Sequence, residues 1–146
     1  MSPGEPFGGG VFIADKSAWE RSSHPAVLDE WAAAAVSGQI ATCPVVMMEV
    51  LYSAPDVTVF EQVEVDLRSL RDIPITRSVT QAAIAAMREL ARRRPGYHRV
   101  NPADALIGAA AQDAGLGVLH YDRHYDRLAE VLDFESRWIA PPGSLG

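Results

Sequence analysis

The stretch Val11-Phe12-Ile13-Ala14-Asp15-Lys16-Ser17 places the strongest constraint on the fold. Three apolar residues and an alanine run without a charge, as in a parallel-sheet strand buried on both faces. A carboxylate and a hydroxyl then arrive together where the buried run ends. Ligands gather outside the carboxyl ends of strands in open parallel sheets, so Asp15 belongs either to a site or to an ordinary turn.

Size and charge narrow the classes. With 146 residues, 48% of them hydrophobic, the chain suits one domain that buries about two-thirds of its unfolded surface. No uncharged apolar run approaches the roughly 18 residues that a membrane-spanning helix requires. A secretory signal pattern is lacking at the start and Cys43 is the only cysteine, so a reducing cytoplasm is expected. Cys43, beside Pro44, reads as a small core residue rather than a nucleophile. A net charge of −6 argues against strong general attraction to nucleic acid. Even so, Arg88, Arg92, Arg93, Arg94 and Arg99 fall in one stretch, either a phosphate-binding strip or a solvated helix face.

In chain order, residues 1–10 are rich in proline and glycine and read as a flexible lead-in. Pro25 opens a helix with Val27, Leu28, Trp31 and Ala35 at helical spacing, which Gly38 stops. Residues 40–43 form a short strand. Pro44 opens an apolar helix in which Glu49 is the only charge, and an unpaired buried carboxylate is costly, so Glu49 either reaches the surface or is compensated. Asp56 caps the next helix, whose stripe of Phe60, Val63, Leu67 and Leu70 is expected to face the core. Residues 73–76 read as an edge strand because Pro74 cannot donate to a ladder. Ser78 with Gln81 forms a capping-box pattern at the head of a helix that Pro95-Gly96 ends. Asn101 caps a further helix, with Pro102 first, Asp104 in the first turn and Gly115 after the last. Residues 117–121 form a strand with Asp122 at its end, followed by a short helix from Tyr125 and a last strand at Trp138-Ile139. Strands alternating with helices predict an α/β fold, a mostly parallel central sheet flanked by helices, in one domain over residues 11–146.

Asp15, Glu49, Asp104 and Asp122 share a physical logic. Two end buried strands, one interrupts an apolar helix and one opens a helix. If these points converge, the crowded charges recruit a cation, and oxygen ligands suit Mg²⁺ or Mn²⁺. A pair of such ions can activate a water and stabilise the leaving oxygen of a phosphodiester. Ser17 either orients a carboxylate there or caps a helix start.

The ordered motifs Asp15-Lys16-Ser17, Met48-Glu49-Val50-Leu51, Asp104-Ala105-Leu106-Ile107-Gly108-Ala109-Ala110 and Tyr121-Asp122-Arg123-His124-Tyr125 resemble those of the PIN-domain nucleases. They are similar above all to the VapC toxins of bacterial toxin–antitoxin pairs. The resemblance implies a PIN-like α/β/α sandwich and a Mg²⁺- or Mn²⁺-dependent endoribonuclease. It also implies inhibition by a cognate antitoxin, a homodimer, and an RNA substrate such as a tRNA or ribosomal RNA loop. By position, Asp15, Glu49, Asp104 and Asp122 become the catalytic, metal-binding quartet and Ser17 the supporting hydroxyl. Lys16 is expected to point to solvent.

Two departures stand out. Many relatives carry an acid two residues after the last quartet member, where this chain has His124; Asp126 substitutes only if the chain turns suitably. A basic residue is also common where this chain has Asn101, with Arg99 nearby. His124 itself reads as a surface residue, since imidazole matches hard cations poorly. Two rival functions follow: a catalytically weak partner- or RNA-binding PIN module, and an aspartyl-nucleophile phosphatase, whose loop wants a second acid where Ser17 stands.

Overall fold

The computed structural model describes residues 4–145. Five strands, β1 (Phe12–Ala14), β2 (Ile40–Thr42), β3 (Arg71–Asp72), β4 (Gly117–His120) and β5 (Ser136–Trp138), form one sheet in the order β3-β2-β1-β4-β5. Every pairing is parallel, with Phe12 opposite both Ile40 and Gly117. The helices are α1 (Lys16–Arg21), α2 (Leu28–Val36), α3 (Pro44–Tyr52), α4 (Val57–Arg68), α5 (Arg77–Arg93), α6 (Pro102–Ala114) and α7 (His124–Leu128).

Strand periodicity divides the core. Ile13, Ala41 and Val118 join a cluster with Val46, Leu90, Ile107 and Tyr125 from α3, α5, α6 and α7. Phe12, Ala14 and Leu119 point to the other face, onto Ala18, Val27 and Ala34. The result is an α/β/α sandwich whose central strand is uncharged because helices cover both faces. Gly117 permits the close packing of β1 on β4, since a Cβ there would lie 2.7 Å from the Phe12 ring. Gly115 ends α6 in the left-handed conformation at φ 69°, where glycine carries no Cβ penalty.

The chain order fixes where a site can form. From β1 the chain moves outward to β2 and β3, then returns to lay β4 on the opposite flank of β1. The connections leaving β1 and β4 therefore diverge, and a crevice opens at the carboxyl ends of these two strands. Asp15 follows the end of β1 directly, and Asp122 stands two residues after the end of β4.

Several expectations are corrected. Residues 1–10 are not simply a flexible lead-in. Pro6–Gly9 form a 3-10 turn, Phe7 is buried, its N–H donates to Glu30, and the Gln39 amide donates to the Pro6 and Gly10 carbonyls. Residues 1–3 of that stretch lie outside the described residues. The edge strand is Arg71–Asp72 rather than 73–76. The Ile73 N–H still reaches the Thr42 carbonyl, but Pro74 cannot extend the ladder. Lys16–Arg21 forms a helix that the sequence reading raised only through a candidate cap at Ser17, and the next helix begins at Leu28, after a turn at Pro25. Thr76, not Ser78, caps α5, its hydroxyl accepting from the Val79 N–H at 3.2 Å. On α4 only Leu67 is buried; Phe60 is 39% exposed, because α4 packs chiefly on α3 at the rim instead of on the sheet.

The cap assignment is testable by thermal or urea unfolding. Thr76→Ala removes a real cap and should destabilise the protein by about 1 kcal/mol, whereas Ser78→Ala, within the exposed first turn, should change stability by less than about 0.5 kcal/mol.

Candidate metal-binding cleft

At the crevice between β1 and β4, Asp15, Glu49, Asp104 and Asp122 all line one cleft of about 250 Å³, together with Lys16, Ser17, Glu20 and Asn101. Each acid arrives by a different local route. Asp15 is the N-cap of α1, and its Oδ2 accepts from the Ser17 N–H at 3.0 Å and the Ser17 hydroxyl at 2.6 Å. Ser17 Oγ in turn accepts from the Tyr121 N–H at 2.9 Å, so one hydroxyl ties the end of β4 to the acid that ends β1. Of the two readings of Ser17, the structure favours the one in which it orients a carboxylate: the cap of α1 is Asp15, and the Ser17 hydroxyl accepts from Tyr121 instead of from a helix N–H.

Asp104 sits in the first turn of α6, after the Asn101 cap, and is only 4% exposed, as is Asp15. A residue to which the sequence reading gave no role at the site joins the two. The fully buried Tyr125 hydroxyl lies 2.7 Å from Asp15 Oδ1 and 3.1 Å from Asp104 Oδ1. One hydroxyl proton cannot serve two carboxylates at once. The second contact is a hydrogen bond only while Asp104 holds its own proton. Burial first, then the charges of Asp15 and Asp122, push the Asp104 carboxyl up to about 8 from its ordinary 3.8, so it keeps that proton at neutral pH.

Glu49 is half-buried, and it makes no ion pair among the described residues, although the charge of Lys16 offsets part of the penalty. Its Oε1 is buried without a hydrogen-bond partner, and burial followed by the charge of Asp15 raises its carboxyl. An orphaned carboxylate oxygen on a residue that shares its cleft with Asp15, Glu20, Asp104 and Asp122 is in the environment a cation relieves. The set of donors is dominated by oxygen, which fits a hard divalent ion. Asp104, Asp122 and His124 each offer a ligand atom, all within 4.8 Å of one another.

His124 is therefore not a bystander at the surface. Its Nδ1 lies 3.4 Å from Asp104 Oδ2 and 3.9 Å from Asp122 Oδ1, and its backbone N–H donates to Asp122 Oδ1 at 2.9 Å. Asp126 turns away, its two oxygens accepting from Ser136 at 2.6 Å and from the Trp138 indole at 2.9 Å. Lys16, expected in solvent, lines the cleft and lies 3.5 Å from Glu20. The Cys43 thiol is buried and pushed up to about 11, as suits a core residue.

Known proteins resemble this chain in sequence and fold. The profile of the PIN domain family matches residues 10–131. Ribonuclease VapC18 of Mycobacterium tuberculosis is 39% identical over 136 residues, covering 92% of this chain and 99% of the relative. Ribonuclease VapC51 of the same organism is 34% identical over 134 residues, covering 92% and 96%. Among solved structures, DNA-bound VapBC from Salmonella typhimurium shares the fold with a TM-score of 0.70 at 18% identity, over 89% of this chain and 98% of that one.

The raised Asp104 carboxyl predicts a pH dependence. The folded group binds its proton more tightly than the unfolded one, so its contribution to stability is complete below pH 3.8 and is lost as pH rises through about 8. In metal-free buffer, Asp104→Asn, which mimics the protonated acid, should stabilise the protein at pH 8 to 9 by at least about 1.4 kcal/mol, the worth of one pKa unit. The gain should vanish towards pH 4. Urea unfolding across that range measures it.

Proposed function

The chain belongs to the PIN-domain family, and from the convergence of its acids we propose that it is a VapC-type endoribonuclease, the toxin of a type II toxin–antitoxin pair, working with Mg²⁺ or Mn²⁺. One observation carries the reading: four acids from four separate elements line a single cleft, and two of them are almost fully buried. Asp15, Asp104, Asp122 and Glu49 would hold the cation, with His124 within reach of the same position. When bound, a divalent cation supplies Lewis-acid stabilisation for a phosphodiester and makes water a competent nucleophile near neutral pH.

The chain's own residues prepare that site. Ser17 holds Asp15 Oδ2 through two donors while Tyr125 takes Oδ1, leaving about one of the carboxylate's four lone-pair positions free. Asp15 is thereby aimed rather than merely present. Lys16 brings a positive charge to the cleft, partly offsetting the acids. Of the arginines considered for phosphate contact, Arg92 pairs with Glu89 at 3.4 Å, Arg93 with Glu130 at 3.1 Å, and Arg94 lies over the Tyr97 ring at 4.2 Å, which leaves Arg88 and Arg99 as the better candidates. RNA is read most readily where bases are splayed in single-stranded loops, and a tRNA or ribosomal RNA loop is the proposed target.

The surface fits protein partners. A cleft of about 240 Å³ between α1, α3 and α4, lined by Trp19, Val50 and Val63, adjoins the acid cleft and suits an apolar segment of the antitoxin. Lys16 and Glu20 line both clefts. Farther out on α3 and α4, Met48, Tyr52, Val57 and Phe60 are exposed apolar residues, and we assign them to the homodimer contact. No helix among the described residues is long and apolar enough to cross a membrane.

Cleavage of RNA by the purified protein should require added Mg²⁺ or Mn²⁺ and stop with chelator. Asp15→Asn and Asp104→Asn should abolish it, while Ser17→Ala should weaken metal affinity about tenfold. Cleavage that survives chelation or either acid substitution would refute the reading. Tight RNA or antitoxin binding with no cleavage under any metal would favour the weak binding module. For the dimer, Phe60→Glu should sediment as a monomer at concentrations where the wild type sediments as a dimer.

A further inference from the structure

His120 is fully buried at the end of β4, and no step proposed for the cleft uses it. Its ring lies between those of Tyr125 and Trp138, with centroids 4.8 and 5.1 Å away. Both nitrogens are engaged. Nδ1 accepts the backbone N–H of Asp122 at 3.1 Å, and Nε2 lies 2.7 Å from Ser136 Oγ. The Ser136 hydroxyl donates to Asp126 Oδ1 at 2.6 Å, and Asp126 Oδ2 accepts from the Trp138 indole at 2.9 Å.

The two ends of this chain fix every proton within it. A backbone N–H can only donate, so His120 Nδ1 must be bare. An ionised carboxylate can only accept, so the Ser136 proton points to Asp126 and the Ser136 oxygen is left to accept from Nε2–H. Only the neutral, Nε2-protonated imidazole satisfies both neighbours. The structure thus assigns His120, held in this tautomer by Ser136 and Asp126, as a positioning residue that anchors the backbone of Asp122 and aims its carboxylate into the cleft. The assignment rests on that cleft being the cation site. It also gives Asp126 a role: it does not replace the acid missing at His124 but sets the far end of the chain that holds Asp122. Partners of this kind, one shell behind the ligands, typically govern affinity by orientation.

Mn²⁺ affinity of the full chain, measured by titration calorimetry for the wild type, His120→Asn and His120→Gln, tests the assignment. The asparagine oxygen stands near the place of Nδ1 and can accept from Asp122. Glutamine reaches towards Ser136 but offers nothing at that place. His120→Gln should weaken Mn²⁺ binding about tenfold or more, and His120→Asn should restore it to within about twofold of the wild type. At saturating Mn²⁺, RNA cleavage by His120→Gln should recover with its KM for RNA unchanged. Equal affinity in all three proteins, or equal loss in both variants, would overturn the role of His120. No Mn²⁺ binding by the wild type would instead sink the cation-site reading, and the inference with it. Should His120→Gln fail to fold, imidazole ¹⁵N NMR of the wild type decides the matter. The Nε2–H tautomer is expected, and an Nδ1–H or doubly protonated ring at neutral pH overturns it.

Discussion

Two carboxylates from opposite parts of the chain share one tyrosine hydroxyl, and the site depends on that contact. Asp15 ends β1, Asp104 opens α6, and Tyr125 of α7 reaches both from a fully buried position. Like charges so placed repel strongly where water is scarce. Without a cation, the repulsion is relieved by a proton kept on Asp104, whose carboxyl is lifted to about 8. With a cation, the proton becomes unnecessary, and binding should release it. Without a cation, the hydroxyl and the Asp104 proton together keep the two acids apposed, which makes the cleft a preformed feature of the fold.

The fold supplies what side-chain chemistry alone cannot. Four acids far apart in sequence meet because the sheet runs outward from β1 in both directions, so the connections after β1 and β4 part above the same point. Asp15 and Asp122 stand at that point by strand length alone. Asp104 is brought in by the capped start of α6, where an acid also offsets the helix dipole. Glu49 comes from the apolar helix α3, and its buried oxygen lacks any other partner. Helix capping, strand termination and one exception in an apolar face thus position the cluster, each by ordinary local physics.

Much of this was legible in the sequence because it is local. A carboxylate after an uncharged run and Asn-Pro before a helix each report their setting within a few residues, whereas the lone Glu among valines and methionines flagged itself as an exception without showing that its Oε1 is buried and unpartnered. A mostly parallel sheet followed from the alternation of strands and helices, and the structure has every pairing parallel. What escaped depends on tertiary neighbours. Tyr125 and His120 look like core aromatics, and nothing nearby in sequence shows that the hydroxyl of one meets Asp15 and Asp104, or that the ring of the other meets Asp122 and Ser136. The stripe on α4 has the periodicity of a buried face, yet periodicity cannot say what lies opposite, and the rim placement leaves Phe60 exposed. Thr76 and Ser78 carry equivalent capping groups, and the choice between them falls to where the chain leaves Pro74. Phe7 sits among glycines and prolines, with no pattern to show that it plugs the α2 side of the core.

The six residues of α1 carry a double duty that follows from helix geometry. The cap of this helix is Asp15, and its first turn holds Ser17, which clamps that acid. One turn further on, Trp19 and Glu20 line the neighbouring apolar cleft, while Lys16 and Glu20 border both clefts. Side chains three or four positions apart lie on one helical face, so Lys16 and Glu20 form a shared wall between the two spaces, joined by their own ion pair at 3.5 Å. A segment seated in the apolar cleft therefore touches the same turn that aims Asp15, and a charge on that segment acts across a single pair of side chains on the acids beyond. Such a segment need not reach the acids to alter them: moving Lys16 towards or away from Glu49 changes the one nearby positive charge that lowers that carboxyl.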